Sequence, residues 1–427
     1  RHHAVVARKA GGHFLDDANE DLYRKFKKEG YTKRQSTELI AENLDIKDLL
    51  TESSEHWDGG YAIAGMFGHG DAFILRDPNG IRPAFWYKDD EIVVAASERP
   101  VIQTTLNVLY ETVHEVKPGH ALIVRRNGQV EEVQIKTPGA RRSCSFERIY
   151  FSRGTDKEIY NERKALGSAM TSNILAEVGN DLENTVFSYI PNTASSAFYG
   201  LTEELNNVCD RIKADKILKA GSGITRNELQ EIFKLKPRIE KVAVKDIKLR
   251  TFITQDSQRN DLVAHVYDVT YGTVRRGIDN LVVLDDSIVR GTTLKKSIIR
   301  MLDRLGPKKI VVASSAPQIR YPDCYGIDMA KITDFIAFTA TIELLKDTRQ
   351  ENALNEVYKK CKAQEKLPKE QMVNYVKEIY DLFTPEQISA KIAELVTPPG
   401  CKAEIAVVFQ TVEDLHQAIP NHTGDWY

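Results

Sequence analysis

Asp285-Asp286, followed at once by Ser287, Arg290, Gly291, Thr292 and Thr293, is the stretch of this chain whose residue types and spacing best suit chemistry. Carboxylates accept hydrogen bonds from sugar hydroxyls. Backbone N–H groups and threonine hydroxyls at the start of a helix surround an anion where the helix dipole favours negative charge. A glycine lets the backbone approach a ligand that a Cβ would obstruct. The run therefore suits a sugar phosphate, with ribose on the carboxylates and the 5′-phosphate in the loop. An isolated Asp-Asp would read as a solvated strand-to-helix turn; the whole run sets it apart.

The elements that must position these residues are legible nearby. Leu281-Val282-Val283-Leu284 is a short apolar run of buried-strand type, and residues 292–305 carry Leu294, Ile298, Met301, Leu302 and Leu305 on one helical face, stopped by Gly306-Pro307. Ile310-Val311-Val312-Ala313 reads as the next strand, and Val186-Phe187-Ser188-Tyr189-Ile190 as an earlier one ended by Pro191. Helix-like stretches at 161–178 and 194–213 alternate with these strands, the sign of a parallel sheet with crossover helices. Residues 13–50 read as helical with a break near Gly30, and 58–136 as short strands and turns. Beyond about 338 the chain is rich in lysine and glutamate and mostly helical.

The 427 residues suffice for two or three domains, and 42% hydrophobic with 28% charged residues is an ordinary globular balance. A formal net charge of -2 offers no polyanion surface, so no nucleic-acid partner is expected. No run has membrane-spanning length and no signal peptide is visible, so no membrane association and a cytoplasmic location are expected. Cys144, Cys209, Cys324, Cys361 and Cys401 are scattered and lack a C-x-x-C pair, which favours reduced thiols. The histidines show no metal-ligand spacing, and Phe85-Trp86-Tyr87 reads as sheet core. The chain opens on Arg1-His2-His3 and closes on Trp426-Tyr427, and both ends read as cut.

Asp285-Asp286-Ser287-Ile288-Val289-Arg290-Gly291-Thr292-Thr293 is similar to the phosphoribosyltransferase signature, and resembles in particular the glutamine phosphoribosylpyrophosphate amidotransferases. Arg76-Asp77-Pro78-Asn79-Gly80-Ile81-Arg82-Pro83, the Cys144–Arg153 segment, Pro191-Asn192-Thr193, Arg250-Thr251-Phe252-Ile253 and the Ala316–Met329 segment resemble further family motifs in the same order, covering roughly residues 58–340. The resemblance implies an α/β protein. A partial N-terminal-nucleophile-type glutaminase (an α/β sandwich) would occupy residues 1–138. A type I phosphoribosyltransferase domain, a parallel sheet with flanking helices, would occupy 139–340, and a helical C-terminal extension 341–427.

It also implies roles. Asp285 and Asp286 would hold the ribose hydroxyls and, with Thr193, place Mg²⁺. Ser287, Arg290, Gly291, Thr292 and Thr293 would cradle the 5′-phosphate. Arg250, with Gln255 and Arg259, would lie on a loop closing over substrate, with Lys245 and Lys248 as nearby cations, and Arg250 is the expected catalytic partner of Asp285 and Asp286. Arg320 and Asp328 are expected to be structural. Implied partners are phosphoribosylpyrophosphate, ammonia or glutamine, purine nucleotides as inhibitors, and further copies of the chain in a homo-oligomer.

Departures from the family pattern matter as much. A glutaminase of this family uses an N-terminal cysteine, whereas the first cysteine here is Cys144. The family's glutamine-clamping residues have no counterpart in residues 1–57, where Gln35-Ser36-Thr37-Glu38 comes nearest. No glutaminase nucleophile is assigned, and no glutamine hydrolysis is expected. Cys144 falls at an iron–sulfur ligand position of some family members and Cys324 is one residue displaced from another, but the close C-terminal pair is absent, so no cluster is expected. The alternatives are a non-catalytic phosphoribosylpyrophosphate-binding regulator, against which the intact Arg250 and Asp285-Asp286 speak, and a salvage-type transferase acting on a base.

Overall fold

The structure, a computed structural model, describes residues 18–245, 267–322, 331–368, 371–422 and 427. Apart from the last few residues, it divides into two compact units at Ser145/Phe146.

The first unit is built on an antiparallel sheet of four strands in spatial order Ala62–Met66, Ala72–Arg76, His120–Val124, Val130–Gln134. Side chains alternate between its faces. Leu75, Ala121 and Ile123 meet Ile46 and Leu50 of the helix Ile46–Ser54, whereas Ile74, Leu122 and Val130 meet Ala84, Trp86, Val93 and Val116. The latter group lies on or beside a three-stranded sheet of Phe85–Lys88, Val93–Ala96 and His114–Glu115. Trp86 is thus sheet core, as its sequence context implies. The expected helical region is broken near Gly30 as anticipated and, beyond that expectation, again at Leu44-Asp45, giving helices at 18–28, Lys33–Asn43 and Ile46–Ser54.

The Arg76–Pro83 motif proves to be a self-contained turn. Asp77 accepts hydrogen bonds from the backbone N–H groups of Asn79, Ile81 and Arg82 at 3.1, 2.9 and 3.0 Å. The buried Arg76 donates to the carbonyls of Gly80, Arg82 and Val116 and pairs with Glu115 at 2.8 Å. Asp77 thus holds the motif's own backbone, and Arg76 ties it to the segment at Glu115-Val116.

The second unit is a five-stranded parallel sheet in spatial order Glu404–Phe409, Lys309–Ser314, Asn280–Asp285, Thr185–Tyr189, Arg238–Ile239. The central strands are buried on both faces and apolar between their end residues, as parallel strands must be when helices cover both sides. Val186, Leu281, Val283, Ile310 and Val312 face the helices Ile336–Asp347 and Pro385–Val396 and the helical residues 292–303. Phe187, Val282, Leu284 and Val311 face the helices Thr171–Glu177 and Ser195–Ala220. The C-terminal region is mostly helical, yet it also supplies the edge strand Glu404–Phe409, paired in register with Lys309–Ser314. That strand went unread because a five-residue apolar run in a lysine- and glutamate-rich setting carries no local periodicity to separate strand from helix.

Opposite the carboxylate end of the sheet, Asp279 is fully buried and accepts hydrogen bonds from the guanidinium groups of Arg238 and Arg275 at 2.7 Å each. Burial alone would raise its pKa, but these partners reverse that and hold it at about 2. The unfolded chain therefore binds a proton here more readily than the folded one. The pair's stabilisation is complete above the ordinary aspartate range and is lost as pH falls through about 2, a contribution of about 2 kcal/mol. Urea unfolding of Asp279→Asn is expected to be weakened at pH 7 and to lose the wild type's stability gain between pH 2 and 5. An unchanged gain in the variant would show that the pair contributes nothing.

Candidate active site

Parallel sheets bind ligands beyond the carboxyl ends of their strands. Asp285 is the last residue of the central strand and Asp286 follows it. The neighbouring strand Lys309–Ser314 continues the ladder: Ser315 and Ala316 N–H donate to the carbonyls of Asp285 and Asp286, both at 3.0 Å, and Ser315 Oγ reaches the Asp286 carbonyl at 3.2 Å. On the other side, Ile190 N–H donates to the Leu284 carbonyl at 2.8 Å. This carries the chain into Pro191-Asn192-Thr193, whose first peptide bond is cis.

The two carboxylates are half-buried. Burial comes first in raising the Asp285 pKa well above the aspartate range, followed by the repulsion of Asp286. Asp286 is also raised by burial, against the opposing effects of the Ser287 hydroxyl, the Thr193 hydroxyl and the buried Arg163 guanidinium. Ser287 Oγ donates to Asp286 Oδ1 at 3.0 Å, and Asp286 N–H donates to Asp285 Oδ1 at 2.9 Å. The fold thus brings the Thr193 hydroxyl to Asp286 across 93 residues of sequence.

Two further groups were not identified from the sequence. Tyr267 stands near both carboxylates, its phenol pushed up to about 12 by burial first and then by their negative charge. Arg163 donates to the carbonyls of Arg148 and Ser152 at 2.8 and 2.6 Å, fixing the 148–152 segment. Neither residue lies in a motif, so only tertiary proximity reveals them.

Residues 287–293 form the turn into the helix that begins at 292. Lys295 N–H is bonded to the Gly291 carbonyl at 3.0 Å. Among the described residues, no acceptor takes the backbone N–H groups of Gly291, Thr292, Thr293 and Leu294, the donors a helix start leaves over. The side chains of Thr292 and Thr293 are exposed beside them. Arg290 is turned toward Asp334 at 3.3 Å, which ties it to the loop before the helix Ile336–Asp347. Gly291 has a packing reason of its own: its φ is +69°, and a Cβ there would meet Val396 Cγ1 at 3.0 Å and Ile336 Cδ1 at 3.3 Å. The glycine lets the loop lie against the C-terminal helices.

Arg250, Gln255, Arg259 and Lys248 lie outside the described residues, as do Cys324 and Asp328. Lys245 ends the short strand Ala243–Lys245 and is exposed. The donor set of Asp285, Asp286 and Thr193 is all oxygen, and its two mutually repelling carboxylates suit a small hard cation such as Mg²⁺. Among the described residues no cluster of three or more His, Cys, Asp or Glu could hold a metal.

A parallel sheet with paired carboxylates and a hydroxyl-lined loop at its C-terminal end, together with a separate unit of antiparallel sheets, makes this an α/β protein. Residues 29–143 match the family of class-II glutamine amidotransferases. The chain is similar to curated amidophosphoribosyltransferases. It is 31% identical over 301 residues to that of Escherichia coli K12, covering 67% of this chain and 52% of the relative. With that of Pasteurella multocida it shares 29% over 313 residues, covering 70% and 55%. The fold is that of the glutamine phosphoribosylpyrophosphate amidotransferase from B. subtilis complexed with ADP and GMP, with a TM-score of 0.55 and 23% identity over 94% of this chain and 70% of that one. The chain spans about half the length of the curated relatives it matches. The family match also starts at residue 29, so the likeness to the amidotransferase unit extends upstream of the motifs, which begin near residue 58. There Ile46 and Leu50 close one face of its sheet, a packing role that leaves only a helical pattern in sequence.

Proposed function

We propose that this chain carries the transferase site of an amidophosphoribosyltransferase of purine biosynthesis, a pentosyltransferase forming 5-phosphoribosylamine from phosphoribosylpyrophosphate and ammonia. The observation that carries the reading is the meeting of Asp285, Asp286 and Thr193 at the end of the central strand, next to the open helix start at Gly291–Leu294. In this reading residues 1–138 form the glutaminase-like part, 139–340 the transferase and 341–427 its C-terminal support.

The ammonia nitrogen bonds to C1 as the C1–O bond to pyrophosphate breaks. The leaving group takes the electron pair, and the new ammonium loses a proton. No covalent nucleophile is needed; the protein must orient the ribose and exclude water while positive charge develops on the ring. Asp285 and Asp286 accept from the ribose hydroxyls, Thr193 steadies Asp286, and the N–H groups and hydroxyls of 287–293 hold the 5′-phosphate. When bound beside the two carboxylates, Mg²⁺ would offset charge on the leaving pyrophosphate. Arg250 is assigned a catalytic role with the two carboxylates. Purine nucleotides as inhibitors, assembly of several copies and a cytoplasmic location belong to the same reading.

With its first cysteine at Cys144, this chain should not hydrolyse glutamine. Pyrophosphate release from phosphoribosylpyrophosphate with Mg²⁺ tests both parts. Turnover with ammonium chloride and none with glutamine is expected. Turnover with glutamine would overturn the reading of the first unit, and binding without turnover would replace the enzyme with a ligand-sensing protein.

A further inference from the structure

Residues 311–319 are buried without interruption, and Arg320 is the first side chain after the strand Lys309–Ser314 to reach solvent. Its guanidinium is held in place on two sides. Nε and Nη2 donate to Gln318 Oε1 at 3.2 and 2.8 Å, and the group lies over the Tyr380 ring, 5.2 Å from its centroid. Both supports are themselves fixed. Gln318 Nε2 donates to the Pro385 carbonyl at 2.7 Å and to Ser389 Oγ at 2.8 Å, and the fully buried Tyr380 donates its hydroxyl to the Arg320 carbonyl at 2.8 Å.

Among the described residues this cradle has no counter-charge. The acceptor is a neutral amide, and among the described residues no carboxylate comes within ion-pair distance of Arg320. The titratable groups around it are Tyr321 and Tyr380, which stay protonated, and Asp381 at longer range. Burial accordingly favours loss of its charge. An oriented, partly desolvated guanidinium with unused donors is what recognises a phosphate oxygen at low ordering cost.

We propose that Arg320 is an anion-binding residue forming a subsite for a phosphate-type group, separate from the 287–293 loop. Ser315 and Ala316, a few residues earlier, pair with the carbonyls of the two aspartates, so the subsite opens at the same end of the sheet. The identity of the natural ligand, a phosphorylated sugar or nucleotide, rests on the proposed function; the existence of the subsite does not.

Calorimetric titration of the full chain with inorganic pyrophosphate, and separately with ribose 5-phosphate, tests it. Pyrophosphate binding should weaken by about tenfold or more in Arg320→Gln, and less in Arg320→Lys, which keeps the charge without the fork. Thermal unfolding identifies any variant that has lost its fold, and Arg320→Lys then carries the comparison. Wild-type affinity in a folded Arg320→Gln, or no pyrophosphate binding by the wild type, would overturn the subsite. Arg320-dependent pyrophosphate binding without any ribose 5-phosphate binding would leave the subsite standing and remove the phosphoribosyl reading.

Discussion

Gly167→Ala is expected to unfold the second unit or come close to it. Gly167 lies on the helix Lys157–Ala169 and Gly200 on Ser195–Ala220. A Cβ on Gly167 would stand 1.7 Å from the Ala197 carbonyl oxygen, and one on Gly200 would stand 1.8 Å from that of Lys164. Both obstacles are backbone, so no side-chain rotation relieves them; the helices themselves must separate. Separation would disturb Leu166, Ala197 and Leu201, all buried, and the hydrogen bond from Gln410 Nε2 to the Leu166 carbonyl. A loss of about 3–5 kcal/mol follows, at the severe end for single substitutions. In isolation the same change would favour each helix by about 1 kcal/mol, so the sign of the effect isolates the packing. Urea denaturation checks it, and a stability change below about 1 kcal/mol would mean that the helices can move apart freely.

Asp285→Asn is expected to lower turnover by about a hundredfold or more while leaving the protein more stable. The amide oxygen can still accept from Asp286 N–H, which lies 2.9 Å from Asp285 Oδ1. What disappears is a buried negative charge set against Asp286, and its removal should stabilise the fold by about 1 kcal/mol. The pH dependence has a definite sign. Because both carboxylates have raised pKa values when folded, the folded chain binds protons more tightly than the unfolded one. Stability from this pair is therefore greatest at low pH and falls as pH rises from the ordinary aspartate range through the folded pKa values. The variant should lose much of that decline. Paired measurements of pyrophosphate release and urea midpoint at pH 5 and 8 check both effects, and simultaneous loss of activity and stability would make the carboxylate a structural group.

The two substitutions mark what could be read from the linear chain. The aspartate pair, the apolar strand before it and the helix after it are contiguous, so their chemistry and local structure are encoded within some twenty residues. The same holds for the Arg76–Pro83 turn and for the alternation that makes Val186–Tyr189, Leu281–Leu284 and Ile310–Ala313 parallel strands. Local order of residue types determined the fold class and the sugar-phosphate reading. It could not determine which distant groups surround the acids. Thr193, Arg163 and Tyr267 come to Asp285 and Asp286 only because separate segments converge at one end of the sheet. The packing constraint on Gly291 is likewise tertiary, since a Cβ there would meet Val396 and Ile336. Glu404–Phe409 became a strand only through its partner Lys309–Ser314. Hydrophobic periodicity and turn chemistry act over a few residues and so survive in sequence, whereas pKa shifts, helix crossings and an uncompensated guanidinium depend on burial, which exists only once the chain has closed on itself.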